Sequence, residues 1–133
     1  MNQTAWCYDL RSGWSEIEDA VWSGMTDNTT EQDALVRAGF EPRELFALGE
    51  PDSGVHLEVY ARSAPEPGPR YYIAMDFPRQ CDSLYAANLP SLLAVLRDFA
   101  PVLQAGFLRS LTTLDFGDYS MLDLLRGVLK KAA

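Results

Sequence analysis

The chain has 133 residues, 47% of them hydrophobic, and a formal net charge of -8 at pH 7. This is the usual size of one domain and enough apolar surface to bury a core, which excludes a disordered chain. No run approaches the roughly 18 apolar residues of a membrane span. The N-terminal stretch MNQTAWCYDLRSGW lacks the basic start and apolar run of a signal peptide. We therefore expect one globular domain over residues 1–133, located in the cytoplasm.

The charge is unevenly distributed along the chain. Residues 1–60 contain 12 of the 19 acidic residues and only three arginines, a net charge of -9, whereas residues 61–133 carry +1. An acidic N-terminal half repels nucleic-acid phosphates and anionic lipid, so neither nucleic acid nor a membrane is expected as a partner. It would attract a basic protein surface, although an acidic balance is also common in proteins that are simply soluble.

The first predicted elements are one strand and two short helices. TAWCYDL, residues 4–10, is rich in aromatic side chains and predicts a strand. Ser15 and Glu18 have the spacing of a capping box, so a helix is expected to begin at Ser15. Thr30 and Asp33 predict the start of a second helix, which Gly39 should end in a left-handed conformation.

Four strands are predicted next, over residues 44–48, 55–62, 70–77 and 82–87. Their short, turn-like connections indicate an antiparallel meander. Asn88 should then cap a helix that Pro101 kinks, and a last helix is predicted from Ser120. The predicted fold class is therefore α+β, an antiparallel meander sheet of about four to five strands with helices packed on one face.

The hairpin VHLEVYARSAPEPGPRYYIAMDF, residues 55–77, gives the main functional hypothesis. Strand alternation places Leu57, Val59 and Ile73 on a core face. A symmetric closure of the loop pairs Tyr60 with Tyr72 and His56 with Asp76, and it keeps both faces chemically sensible. The face turned away from the core then holds His56, Glu58, Tyr60, Arg62, Arg70, Tyr72 and Asp76, joined by Ser83 and Tyr85 from the next strand.

Three interpretations of that polar face stay open. The first is a solvated side of the sheet. The second is a docking surface, because tyrosine and arginine are enriched at interface hot spots. The third is a catalytic site in which His56 and Asp76 form a histidine–carboxylate pair. Catalysis also needs a nucleophile, and Cys7 or Ser83 could reach His56 only through the fold.

Metal and cofactor sites have little support in the sequence. One histidine and the separated cysteines Cys7 and Cys81 are a poor supply of metal ligands. No glycine loop of a phosphate-binding kind occurs. We therefore expect neither a metal nor a cofactor, and two free thiols in small core residues.

Trp22 is a second candidate contact, because it falls off the main apolar face of its predicted helix. Its sequence neighbours are acidic, namely Glu16, Glu18 and Asp19. An exposed tryptophan in such a setting would anchor a basic partner, whereas core packing is the more common role of this residue type.

These observations favour a non-catalytic domain that docks a basic protein surface through its acidic half, the tyrosine face or Trp22. The alternative is a small hydrolase or ligand-binding protein that uses His56 and Asp76. A third hypothesis is a homodimer that buries the tyrosine face against itself. The element order and the acidity resemble small bacterial immunity and inhibitor proteins, and this resemblance implies an inhibitor-like or adaptor-like role.

Overall fold

The computed structural model describes residues 3–50, 55–77 and 80–98. The predicted kink at Pro101 and the predicted helix from Ser120 lie outside these ranges. No helix within them is long and apolar enough to cross a membrane. The elements are β1 (Thr4–Asp9), β2 (Gly13–Glu18), α1 (Ala20–Ser23), α2 (Glu31–Arg37), β3 (Phe46–Glu50), β4 (Val55–Ala61), β5 (Tyr71–Phe77), β6 (Gln80–Ala86) and α3, a helical stretch at 89–98.

The strands form one mixed sheet of six strands in the order β2-β1-β6-β5-β4-β3. The run from β3 to β6 pairs antiparallel, as the short connections predict, and the α+β class is confirmed. However, β1 lies parallel to β6. A parallel pair needs a long connection, and most of the described chain lies between these two strands. The prediction of an antiparallel sheet of four to five strands is therefore wrong in strand number and in this pair.

Residues 13–18 form a strand where a helix was expected to begin at Ser15. Gly13 has a φ of +83°, which lets the chain turn tightly after β1 and pair back along it. The pairing brings the rings of Tyr8 and Trp14 to 5.0 Å between centroids. Ladder hydrogen bonds and this aromatic contact outweigh the local capping preference, so the helix that follows begins only at Ala20.

Both predicted ends of α2 are confirmed. The hydroxyl of Thr30 accepts the backbone N–H of Asp33 at 3.1 Å, which caps the first turn. At the other end Gly39 has a φ of +95°. The Phe40 N–H donates to the Leu35 carbonyl at 2.9 Å, a bond that closes the end of the helix in the manner of a left-handed glycine cap.

The predicted register of the central hairpin is confirmed. The loop between β4 and β5 is the proline-rich stretch at 63–69, as expected from its composition. Because the side-chain period of a strand is two, this register decides which residues share a face. The paired residues are His56 with Asp76, Leu57 with Met75, Val59 with Ile73, and Tyr60 with Tyr72.

Hydrophobic cores lie on both faces of the sheet, so the prediction of helices on one face is wrong. On one face α3 packs against the aliphatic residues of the central strands, and on the other face α1 and α2 pack against tyrosines. The α3 core contains Tyr8, Leu57, Val59, Ile73, Met75, Leu84, Leu92 and Val95. The α1–α2 core contains Ala5, Cys7, Val21, Ala34, Leu35, Phe40, Tyr60, Tyr72 and Tyr85.

Candidate functional site

The three tyrosines expected to face solvent are buried. Tyr60, Tyr72 and Tyr85 are 3%, 2% and 1% exposed beneath the short helices. Their rings contact one another, with 5.1 Å between the centroids of Tyr72 and Tyr85 and 6.1 Å between those of Tyr60 and Tyr72. Burying such rings yields a large hydrophobic gain, provided that the hydroxyls find partners. A docking surface or homodimer interface built on these tyrosines is therefore excluded by their burial.

Asp19 is also buried, at 2% exposure, instead of contributing to an acidic surface. Its carboxylate accepts the backbone N–H of Trp22 at 3.2 Å, which caps α1. It also accepts the Tyr85 hydroxyl at 2.8 Å and the hydroxyl of Ser83. Burial and the adjacent Asp19 charge raise the pKa of Tyr85. Because the Asp19 carboxylate accepts hydrogen bonds from α1 and from β6, it links this helix to the sheet.

Trp22 keeps the exposure that the sequence indicates, with 39% of its surface accessible. Burial raises the pKa of Tyr72, the charges of Asp19 and Glu31 raise it further, and hydrogen bonding with the side chains of Ser83 and Trp22 offsets part of the rise. The Trp22 side chain therefore lies near the Tyr72 hydroxyl, and part of its surface meets solvent.

Arg62 was expected on the docking face, but it is partly buried and serves the fold. Its guanidinium lies 4.2 Å from the centroid of the Phe40 ring. Its Nη1 donates to the Ala38 carbonyl at 3.0 Å and its Nε donates to the Pro69 carbonyl at 2.6 Å. Burial lowers its pKa. These contacts tie the end of α2 to the loop of the central hairpin.

Three carboxylates gather around Tyr60 where α2 and β3 meet β4. The hydroxyl of Tyr60 donates to the Glu58 carboxylate and lies 3.5 Å from Oε1 of Glu31. Glu44, two residues before β3, is close enough for its charge to act on Tyr60. We call Glu31, Glu44 and Glu58 the acidic corner.

The charges of the acidic corner act on one another. Burial raises the pKa of Tyr60, and the hydrogen bond to Glu58 and the three carboxylate charges raise it further. Burial also raises the pKa of Glu31, repulsion from Glu58 adds to the rise, and the Tyr60 hydroxyl lowers it in part. In the described ranges no arginine or lysine side chain pairs with these carboxylates. Among the described residues, the acidic corner is therefore a local concentration of negative charge.

His56 also lies beside the acidic corner. Its Nδ1 lies 3.9 Å from Oε1 of Glu58, and its side chain is 14% exposed. The Cα pairing of His56 with Asp76 is confirmed, but the side chain of Asp76 lies outside what the structure describes. His56 and Glu58 therefore belong to one local group of polar side chains on β4.

The two candidate nucleophiles are separated from His56 by the sheet order. Ser83 lies on β6, two strands from β4, which corresponds to about 10 Å at ~4.8 Å per strand. Its hydroxyl donates to Asp19. Cys7 lies one strand further away, and burial followed by repulsion from Asp9 raises its pKa to about 11. Neither side chain is therefore placed to be activated by His56.

Glu16 and Glu18 are exposed, but they lie far from the acidic corner. They belong to β2, and the acidic corner adjoins β3, at the opposite edge of the sheet. Their neighbour Ile17 packs into the α1–α2 core, so strand alternation directs Glu16 and Glu18 to the other face. The structure therefore does not unite them with Trp22 in one surface.

The residues in the described ranges include no group of three histidine, cysteine or carboxylate side chains placed to hold a metal ion. Comparison with known proteins gives no match, since no family model, no curated protein and no solved structure is significantly similar to the chain.

Two members of the acidic corner, Glu31 and Glu44, were missed in the sequence. A usable signal was present in α2, where Ala34 and Leu35 form an apolar stripe between exposed residues. Such a stripe has to cover an apolar surface. The tyrosine face of the sheet is that surface, and because α2 packs on it, the first residues of α2 lie beside Tyr60.

Proposed function

We propose that the chain is a non-catalytic partner-binding domain, inhibitor-like or adaptor-like, whose acidic corner docks a basic protein surface. The observation that supports this most directly is the concentration of Glu31, Glu44 and Glu58 around Tyr60 without an arginine or lysine counterion in the described part of the chain. The net charge of -9 over residues 1–60 extends the same negative field.

The energetics of the acidic corner agree with this role. Neighbouring carboxylates repel one another, and Glu31 is also partly withdrawn from water, so the free protein carries an electrostatic cost there. A lysine or arginine from a partner would offset that cost and gain charge-assisted hydrogen bonds. Complementary charge also raises the association rate and discriminates against acidic partners.

Calorimetric titration with designed peptides tests the proposal. The probe alternates lysine and valine, and the matched control alternates glutamate and valine at the same length. We expect only the lysine probe to bind, with an affinity that weakens about tenfold or more between about 25 mM and about 250 mM salt, because screening shortens the range of charge attraction. Equal binding of both peptides, or an affinity that does not change with salt, would contradict the proposal.

A further inference from the structure

We infer that the basic partner of the acidic corner binds as an extended segment that adds a strand to the free edge of β3, an inference that rests on the proposed function. The strand order ends at β3, and within the described ranges no strand pairs with its outer side. Such an edge presents unpaired backbone N–H and C=O groups, which an extended peptide can satisfy.

Two of the devices that prevent strand addition, lysine and proline in the edge strand, are missing from β3. Its sequence FALGE contains no lysine and no proline, and its register with β4 is continuous from Phe46 to Glu50. The flanking Leu45 is 57% exposed, and Leu48 within the strand is 39% exposed. Apolar side chains beside a free edge offer contacts for alternate side chains of an added strand.

The charges beside the β3 edge indicate which side chains an added peptide strand would need. Ala47 of β3 pairs with Glu58 of β4, so an added strand would lie about 10 Å from Glu58 at ~4.8 Å per strand. The long side chains of lysine and arginine bridge most of that gap, and Glu44 lies two residues before the strand. The fitting occupant is therefore an extended segment with basic residues on the side of α2 and apolar residues on the other side.

A second copy of the chain fits this edge less well. Antiparallel pairing of two β3 strands would bring the acidic corners of both copies to one interface, and neither β3 strand carries a basic residue. Like charges on neighbouring strands are destabilising when they face one another. The same edge with a basic segment brings opposite charges together, so charge complementarity selects a basic partner.

Hydrogen exchange of the full chain with the lysine–valine probe tests strand addition. The comparison probe has the same sequence with every backbone nitrogen methylated, so it keeps its charge and side chains but donates no backbone hydrogen bonds. We expect the unmodified probe to slow exchange of amides at 45–48 by about tenfold or more, with no change at 13–18 in β2. The methylated probe should bind about tenfold or more weakly.

Three outcomes would overturn the inference. The first is equal binding of the methylated probe, in which case the lysine–valine affinity still supports the proposed function while strand addition is excluded. The second is protection at β2, or at neither edge, when the probe is bound. The third is protection at 45–48 that grows with protein concentration in the absence of probe, which would identify a second copy as the occupant. Failure of both probes to bind would instead remove the proposed function itself.

Discussion

Several charged and polar side chains of this protein are at least partly buried and stabilise the fold, although residues of their types usually lie on the surface. Asp19 has three hydrogen-bond donors beneath α1, and Arg62 has two carbonyl acceptors and an aromatic ring. The sequence does not distinguish such a residue from a solvated one, because its partners lie up to 66 positions away in the chain. Burial of each group depends on contacts that only the tertiary fold creates.

Replacing Asp19 by alanine should destabilise the protein by about 3 kcal/mol, because α1 loses its cap and two buried hydroxyls lose their acceptor. Urea unfolding gives the free energy of unfolding for parent and variant. The matched control is Asp27→Ala, which removes an exposed carboxylate and should stay within about 0.5 kcal/mol of the parent. Equal effects of the two substitutions would contradict the structural role of Asp19.

The thiol of Cys7 should be unreactive in the folded protein. Burial raises its pKa to about 11, and the thiolate is the nucleophilic form. In a Cys81→Ser variant Cys7 is the only thiol, so a colorimetric disulfide reagent at about pH 8 reports on it alone. We expect reaction only after denaturant is added. Rapid reaction under native conditions would show that the α1–α2 core opens readily.

Because its pKa is raised in the folded protein, Glu31 should lower the free energy of unfolding as the pH rises above the pKa that Glu31 has in the unfolded chain. Its folded pKa is raised from 4.5, so the folded state holds more protons than the unfolded state in the window just above pH 4.5. A Glu31→Gln variant lacks this proton, so its stability should rise relative to the parent across that window. The gain should be a few tenths of a kcal/mol, since the carboxyl is only partly buried and solvent screens its charge. Thermal unfolding of both proteins between about pH 4 and about pH 7 measures it, and a relative loss in the variant would contradict the assignment.

Elements whose local signals agreed with the tertiary fold were predicted well. The register of the β4–β5 hairpin follows from period-two alternation and a short loop, and both ends of α2 follow from Thr30 and Gly39. At β2 the local and tertiary preferences conflict. Ser15 and Glu18 indicate a helix start, but pairing with β1 satisfies more backbone groups and was not visible in a local pattern.

The packing of α2 on the sheet can be tested within one helix. Leu35 is fully buried against the tyrosines, whereas Val36 is 56% exposed. We expect Leu35→Ala to lower the free energy of unfolding by about 2–5 kcal/mol, through lost burial and a residual cavity. Val36→Ala should change it by less than about 0.5 kcal/mol. Chemical denaturation measures both, and similar small effects would mean that α2 does not close this core.

At the scale of the molecule, the main departure from expectation is that the sheet is covered on both faces. The alternating pattern correctly assigned residues to two faces, but it could not reveal that the tyrosine face also lies under helices. Tyrosine combines a large apolar ring with a polar end, so it suits a wet face and a helix-covered face equally. The proposed binding surface is therefore the β3 edge beside the acidic corner and not the tyrosine face of the sheet.

The most direct test of the account compares two charge-matched triple variants in lysine–valine probe binding at low salt. One variant neutralises the acidic corner through Glu31→Gln, Glu44→Gln and Glu58→Gln. The other makes the same change in net charge through Glu16→Gln, Glu18→Gln and Asp27→Asn, exposed residues outside the acidic corner. The account predicts about tenfold or greater loss of affinity in the first variant and less than about threefold loss in the second. Equal losses in both would show that only the net charge matters, and the acidic corner would no longer be a binding site.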